Sequence, residues 1–322
     1  ANSVTSSQYL ITFFLTNILR MTINNHINRF SFNIKAEIDL GEKFVSALDI
    51  ESLLEYMESN NIENTMNIRL QYSALLSNLH PENNDYYLNF KNLLYRNIKN
   101  LSKTEASTLF GPLESVIAQK INSGRTEFYE DIFETYVFEL DNGIYTSGST
   151  STITALKFRN IYLCAIRLGK FEWAENFIYE YKARLQKEDR QSIFELALAR
   201  LNFEKKDFDK TLLHLHKVKT GQIFYKIDVK ILNLMAFYEL SHFESSLSLI
   251  ESFRRMLNTN ISFTDQYREK NVNFINILNN LIKIRLDDDK EALLKLKVKL
   301  GSIDSLANRK WLTTKIDELI TK

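Results

Sequence analysis

Apolar residues along this chain recur mostly at the three-to-four residue spacing of an amphipathic helix, and very little of the sequence interrupts that pattern. Phe128, Ile132, Phe133, Tyr136, Val137 and Leu140 fall on one face of an expected helix over 126–140, and Glu127, Glu130, Asp131 and Glu134 on the other. Further helices are expected over 7–23, 64–79 and 86–101. Another runs from Ser102, which forms a capping box with Glu105, towards Ile121, kinking or restarting at Pro112. Asp49 is expected to cap a helix carrying Leu53, Leu54 and Met57, after a polar, extended stretch that reaches Ala47. The stretch 141–151, with Gly143 and Gly148 among Ser and Thr, carries the strongest loop signal and marks the expected domain boundary.

Beyond it, one helical hairpin recurs three times: 152–168 with 171–185, 189–204 with 207–218, and 222–240 with 243–258. The turns are anchored by Phe171, Phe208 and Phe243, spaced 37 and 35 positions apart. Such a period signals stacked helix pairs, each burying its apolar face against its neighbours. Further helices are expected over 264–286, from an acidic capping box of Asp288 and Glu291 to Gly301, and over 304–320.

These pairs resemble tetratricopeptide repeats. In that family a small residue and an aromatic mark the tight turn, and a small residue three positions later lets the helices approach. Gly169, Phe171 and Ala174 match; Ser241, Phe243 and Ser246 match with substitutions; Phe208 and Thr211 follow Lys206, which stands where a small residue is expected. The proline that often ends such a repeat is missing from all three. The resemblance covers about residues 154–258 and implies an all-α, right-handed superhelical solenoid of antiparallel helix pairs, whose concave face binds protein or peptide. By that register Arg159, Arg200 and Tyr238 would look into the groove. The family's clamp for C-terminal carboxylates is not expected, because Leu163 occupies the place of its first Asn. The expected organisation is an N-terminal helical region over 1–142, containing degenerate repeats, then three helix pairs over 152–258 and capping helices over 259–322.

Composition narrows the function further. Only 2 Pro and 8 Gly in 322 residues fit a nearly pure helical protein. A net charge of +1 does not suit a nucleic-acid binder. It covers an asymmetry: residues 1–150 carry 11 basic and 18 acidic side chains, a net of −7, and 151–322 carry 30 and 22, a net of +8. The apolar run Tyr9 to Leu19 is too short to span a bilayer and lacks the basic leader of a signal peptide. With Cys164 as the single cysteine, a cytoplasmic protein without disulfides is expected. The initial Ala points to a trimmed chain or a piece of a longer one.

Catalytic and cofactor chemistry finds little footing. His214 and His216 are two apart and so on different helix faces, and Glu239-Leu240-Ser241-His242 falls in an expected turn. No glycine-rich phosphate loop or nucleophile elbow occurs. No metal, cofactor or membrane is therefore expected. The leading expectation is a non-enzymatic scaffold that binds a protein or peptide. The alternatives are the sensing or regulatory part of a larger protein, and an all-α enzyme whose site is assembled from distant residues.

Overall fold

The computed structural model describes residues 2–32, 38–145, 152–259 and 263–321. Among these the protein is all-α, and the one non-helical pairing is an isolated bridge between Ile153 and Leu185. The chain divides into two compact units: residues 1–170 with 184–186, and residues 171–183 with 187–322. The loop over 141–151 lies within the first, and its residues 146–151 are outside the described residues.

The first unit holds α1 (Asn2–Phe32), α2 (Leu40–Ser46), α3 (Ile50–Ser59), α4 (Thr65–Leu79), α5 (Asn84–Asn97), α6 (Lys103–Asn122), α7 (Phe128–Asp141) and α8 (Ala155–Arg167). Its centre is α4, packed against α1, α3, α5 and α6. Because neighbours cover α4 on several sides, it buries polar as well as apolar positions, including Gln71, Ser77 and Asn78 beside Leu70 and Ala74. Asn78 makes that burial tolerable: its Nδ2 donates to the Ala74 and Pro112 carbonyls, and its Oδ1 accepts from Gln119 at 3.3 Å.

Several expectations are corrected here. The first helix runs from Asn2 to Phe32, well past both ends of the apolar run that announces it. Within the polar stretch before Ala47, residues 33–37 lie outside the described residues, but Leu40–Ser46 is helical, started by the Asp39 carboxylate accepting from the Glu42 N–H. Pro112 does not interrupt α6. The ring is buried in the core, so packing holds the helix together across the missing N–H. The Ser102/Glu105 capping box and the Asp49 cap form as expected.

The second unit holds α9 (Phe171–Tyr181), α10 (Arg190–Glu204), α11 (Phe208–Lys217), α12 (Ile223–Glu239), α13 (Phe243–Thr259), α14 (Asp265–Asp287), α15 (Lys290–Gly301) and α16 (Arg309–Ile320). Each packs against the next along the chain, and α16 also returns to α14. One apolar core built around Phe203, Ile227, Met235, Phe253, Phe274, Leu281 and Leu312 runs through α10–α16. The acidic cap of α15 is Asp289, not Asp288. Asp288 adopts a left-handed conformation (φ 52°) in closing α14, which leaves the Asp289 side chain to accept from the Ala292 N–H at 2.9 Å. The last helix begins at Arg309, five residues later than its pattern suggests.

The three anchored turns share one backbone geometry. Gly169, Lys206 and Ser241 have φ of 73°, 63° and 60°. In each, two amide hydrogen bonds close the preceding helix: Gly169 N–H to Ile166 and Lys170 N–H to Ala165; Lys206 to Phe203 and Asp207 to Asn202; Ser241 to Tyr238 and His242 to Phe237. This is the Schellman motif, whose left-handed residue is normally Gly because no Cβ crowds the backbone. Asn61, Gly124 and Gly143 close α3, α6 and α7 in the same way, but the helices after Asn61 and Gly124 begin four residues later rather than two. The small residues three positions beyond each Phe, Ala174, Thr211 and Ser246, are all 0% exposed. The anchoring Phe171, Phe208 and Phe243 are only half-buried, contrary to the expectation that they would be core. At the first position of a helix an aromatic covers the end of the core instead of entering it.

Candidate functional site

The three residues expected to line a groove are divided between the two units. Arg159 is half-buried on α8 in the first unit, whereas Arg200 and Tyr238 lie on α10 and α12 of the second. Arg200 sits at the C-terminal end of α10, with Nη2 2.8 Å from a Glu204 carboxylate oxygen and its Nε buried without a partner. The eight residues before it, Ser192 to Ala199, are all buried, so α10 offers no exposed stripe along its middle. Tyr238 is core, only 2% exposed. Its ring meets Trp311 edge-on at 5.4 Å, and the Arg285 guanidinium stacks 5.0 Å from its centre. Burial raises its hydroxyl pKa, and nearby Arg285 works against the rise. The return of α16 onto α14, which brings Trp311 to this point, could not be read from Tyr238's place on its own helix.

Sequence reasoning missed the buried charge clusters, whose members are far apart in the chain. In the first unit, Lys157 of α8 bonds both carboxylate oxygens of Glu139 on α7 at 2.8 and 2.7 Å, and a Glu114 oxygen on α6. The Glu139 side chain is 3% exposed. Burial, with Glu114 facing it, pushes its pKa up to about 8 against the pull of Lys157. Lys157 also lies over the Tyr136 ring at 4.7 Å. The cluster joins three helices, and with both Glu139 oxygens occupied it works as a tie. Beside it, Asp131 of α7 accepts from Tyr87 and Lys91 of α5 at 2.9 and 2.6 Å.

Lys120 is 1% exposed and bonded to neutral partners, the Pro81 carbonyl and Asn84 Oδ1, with the Tyr87 and Phe128 rings 5.3 and 5.2 Å away. Desolvation lowers its pKa, and Arg125 adds to the effect. Cys164 is buried too, its thiol donating to the Tyr129 carbonyl, and burial pushes its pKa up to about 12. A thiol so held has little nucleophilic thiolate.

In the second unit, Glu195 on α10 is 2.7 Å from His214 Nδ1 on α11 and also accepts from Gln191 at 2.6 Å. His216 is exposed and points elsewhere. Glu239, the first residue of the Glu-x-x-His pattern, is taken by Trp311 Nε1 at 2.9 Å and Lys315 at 3.0 Å. Among the described residues no group of three His, Cys, Asp or Glu side chains could hold a metal ion, and no helix is long and apolar enough to cross a membrane.

One concave surface does carry chemistry. Between α14 and α15 lies an open groove of about 330 Å³. Ile284, Ala292 and Leu296 form its apolar floor, with Asn280, Lys283, Lys295 and Lys299 around them. Helical spacing puts these residues side by side: Asn280, Lys283 and Ile284 on one helix, Ala292, Lys295, Leu296 and Lys299 on the other. Compared with known proteins, the chain matches no protein-family model, no curated protein and no solved structure.

Proposed function

We propose that this protein is a non-enzymatic scaffold that holds a protein or peptide segment against a helical-repeat surface. The observation carrying this reading is the thrice-repeated turn: a left-handed residue at Gly169, Lys206 and Ser241, a Phe two positions on, and a fully buried small residue three beyond that. Helix pairs that repeat one turn geometry at similar spacing suit an array built by stacking, and stacked helix pairs present extended surfaces for other chains. Polar clusters whose carboxylates are taken up by lysine, tyrosine and tryptophan donors of other helices fit a framework better than a reaction centre.

In this reading the helix pairs build a right-handed superhelix, and Arg159 in the first unit and Arg200 in the second are each an anchor for a carboxylate-bearing segment. Arg is suited to the role because its planar fork grips a carboxylate through two parallel hydrogen bonds. Arg200 reaches its present partner Glu204 one turn away on the same helix, an exchangeable surface pair. Tyr238 has no part in this surface, being core.

The test is to capture the partner from the native organism with the whole chain as bait, then to titrate the purified partner against wild type and the R159A/R200A double variant. A fall in affinity of about tenfold or more, with the helical circular dichroism spectrum preserved, is expected. Equal affinity in the folded double variant would remove both arginines from the binding surface, and failure to capture any stoichiometric partner would count against a scaffold.

A further inference from the structure

We infer that the groove between α14 and α15 is a docking slot for an acidic, amphipathic peptide segment. Its floor and rim differ in chemistry. Ile284 and Leu296 line the bottom, while Lys283, Lys295 and Lys299 stand around it with exposed side chains. No ion pair is described for Lys283 or Lys299, and Lys295 pairs only with Glu291 of its own helix, where both partners are more than 70% exposed. A pair so open to water holds little energy and yields readily to another carboxylate. Basic side chains normally alternate with acids on a solvated helix face. This slot gathers three lysines over an apolar floor and leaves two without counter-charges.

Of the acids at the turn, Asp289 is the one whose carboxylate is engaged. Asp288 adopts the left-handed conformation that closes α14, and the Asp289 carboxylate caps α15 on the Ala292 N–H. The three aspartates Asp287, Asp288 and Asp289 lie together at the turn between the two helices, and the lining of the groove itself carries the three lysines. A ligand fitting both features carries apolar side chains for the floor and carboxylates for the lysines. Lys295 and Lys299 are one helical turn apart, so carboxylates spaced likewise on a helical segment face them in register. The apolar floor set among the lysines suits a peptide that offers apolar side chains together with carboxylates better than a lipid headgroup surface. The long stems of Lys283 and Lys299 flank the floor and extend its apolar wall while keeping their ammonium groups in water.

This slot does not depend on Arg159 or Arg200, so it stands or falls separately from the reading above. The probe is a fluorescein-labelled synthetic helix with Glu at each i, i+4 position of one face and Leu along its edge, titrated by anisotropy against the whole protein. An analogue with every Glu replaced by Lys serves as control. Saturable binding of the Glu peptide at micromolar concentration is expected, weakening as salt rises, with none for the Lys analogue. The charge-reversing variant K283E/K299E and the groove-filling variant A292W should each lose about tenfold or more in affinity. Because Lys283 and Lys299 are exposed, the first variant is expected to fold, and its thermal midpoint checks this. R159A/R200A should bind the probe as wild type does. No saturable binding of the Glu peptide, or equal binding by wild type and the folded K283E/K299E variant, overturns the proposal. So does preferential binding of anionic phosphatidylserine vesicles, which assigns the lysines to a lipid surface.

Discussion

The indole of Trp311 donates its N–H to a Glu239 carboxylate oxygen 2.9 Å away, joining the last helix to the end of α12 across 72 residues of sequence. Lys315, one turn along α16, reaches the same Glu239 oxygen at 3.0 Å, and the Trp311 ring covers Tyr238. A short final helix is thereby fixed by a charged hydrogen bond and an aromatic contact at one point.

Replacing Trp311 with Phe keeps most of the ring contact and deletes the donor. Hydrogen bonds to charged groups contribute about 1.5–3 kcal/mol, so W311F should lower unfolding free energy by roughly that amount in urea titrations. Lys315 remains to satisfy Glu239, which puts the expected loss at the lower end. A midpoint equal to wild type would show that Trp311 acts only through its ring.

Lys206 occupies the left-handed position that Gly169 fills in the equivalent turn. A non-glycine residue there carries a steric cost of about 1–2 kcal/mol, partly offset because Gly adds entropy to the unfolded chain. K206G should therefore raise stability by about 0.5–1 kcal/mol, read as a higher denaturation midpoint. The converse substitution G169V should lower it by more, since a β-branched side chain tolerates that conformation least. A destabilised K206G would mean that the turn is held by the lysine side chain rather than by its backbone.

Ala174 and Ser246 are fully buried at the corresponding position after two of the tight turns, and Ser246 Oγ has no hydrogen-bond partner. Enlarging either to Leu should cost about 1–3 kcal/mol through overpacking. Removing the unsatisfied hydroxyl in S246A should be neutral or stabilising by up to ~1 kcal/mol, because burying an unpaired polar group is itself unfavourable. Thermal unfolding of the three variants decides this. Loss of stability in S246A would show that the hydroxyl is satisfied in solution.

Glu139 makes the first unit sensitive to pH. Its ordinary pKa is 4.5, and burial beside Glu114 raises it to about 8 in the folded chain. Between those values the folded protein holds one more proton than the unfolded one, so its stability falls as pH rises through this window and levels off above about 8. The slope is at most about 1.4 kcal/mol per pH unit, and the attraction of Lys157 for the ionised form reduces it. Urea midpoints between about pH 5 and pH 9 should decline in wild type and flatten in E139Q. A wild-type midpoint that stays flat over this range would mean that Glu139 is ionised throughout, paired with Lys157.

What the sequence by itself determined was helical content, most helix positions, and the tight turns at Gly169, Lys206 and Ser241, because these depend on neighbours within a few residues. The Asp49 cap, the Ser102/Glu105 box and the small positions Ala174, Thr211 and Ser246 are all local signals of this kind. The tertiary structure decided which face of each helix is covered. Periodicity gives the angle between faces but not what packs on them: Tyr238 on α12, expected to face a groove, is sealed by Trp311 from 73 positions away. Pro112 stays helical for a similar reason, since the core around α6 outweighs the local penalty of the missing N–H. The Glu114–Lys157–Glu139 tie and the lysine-rimmed slot were equally out of reach of pattern reading. Each is made of side chains that look like ordinary solvated charges on separate helices, and only packing those helices together sets a carboxylate beside a lysine, or three lysines around one apolar floor.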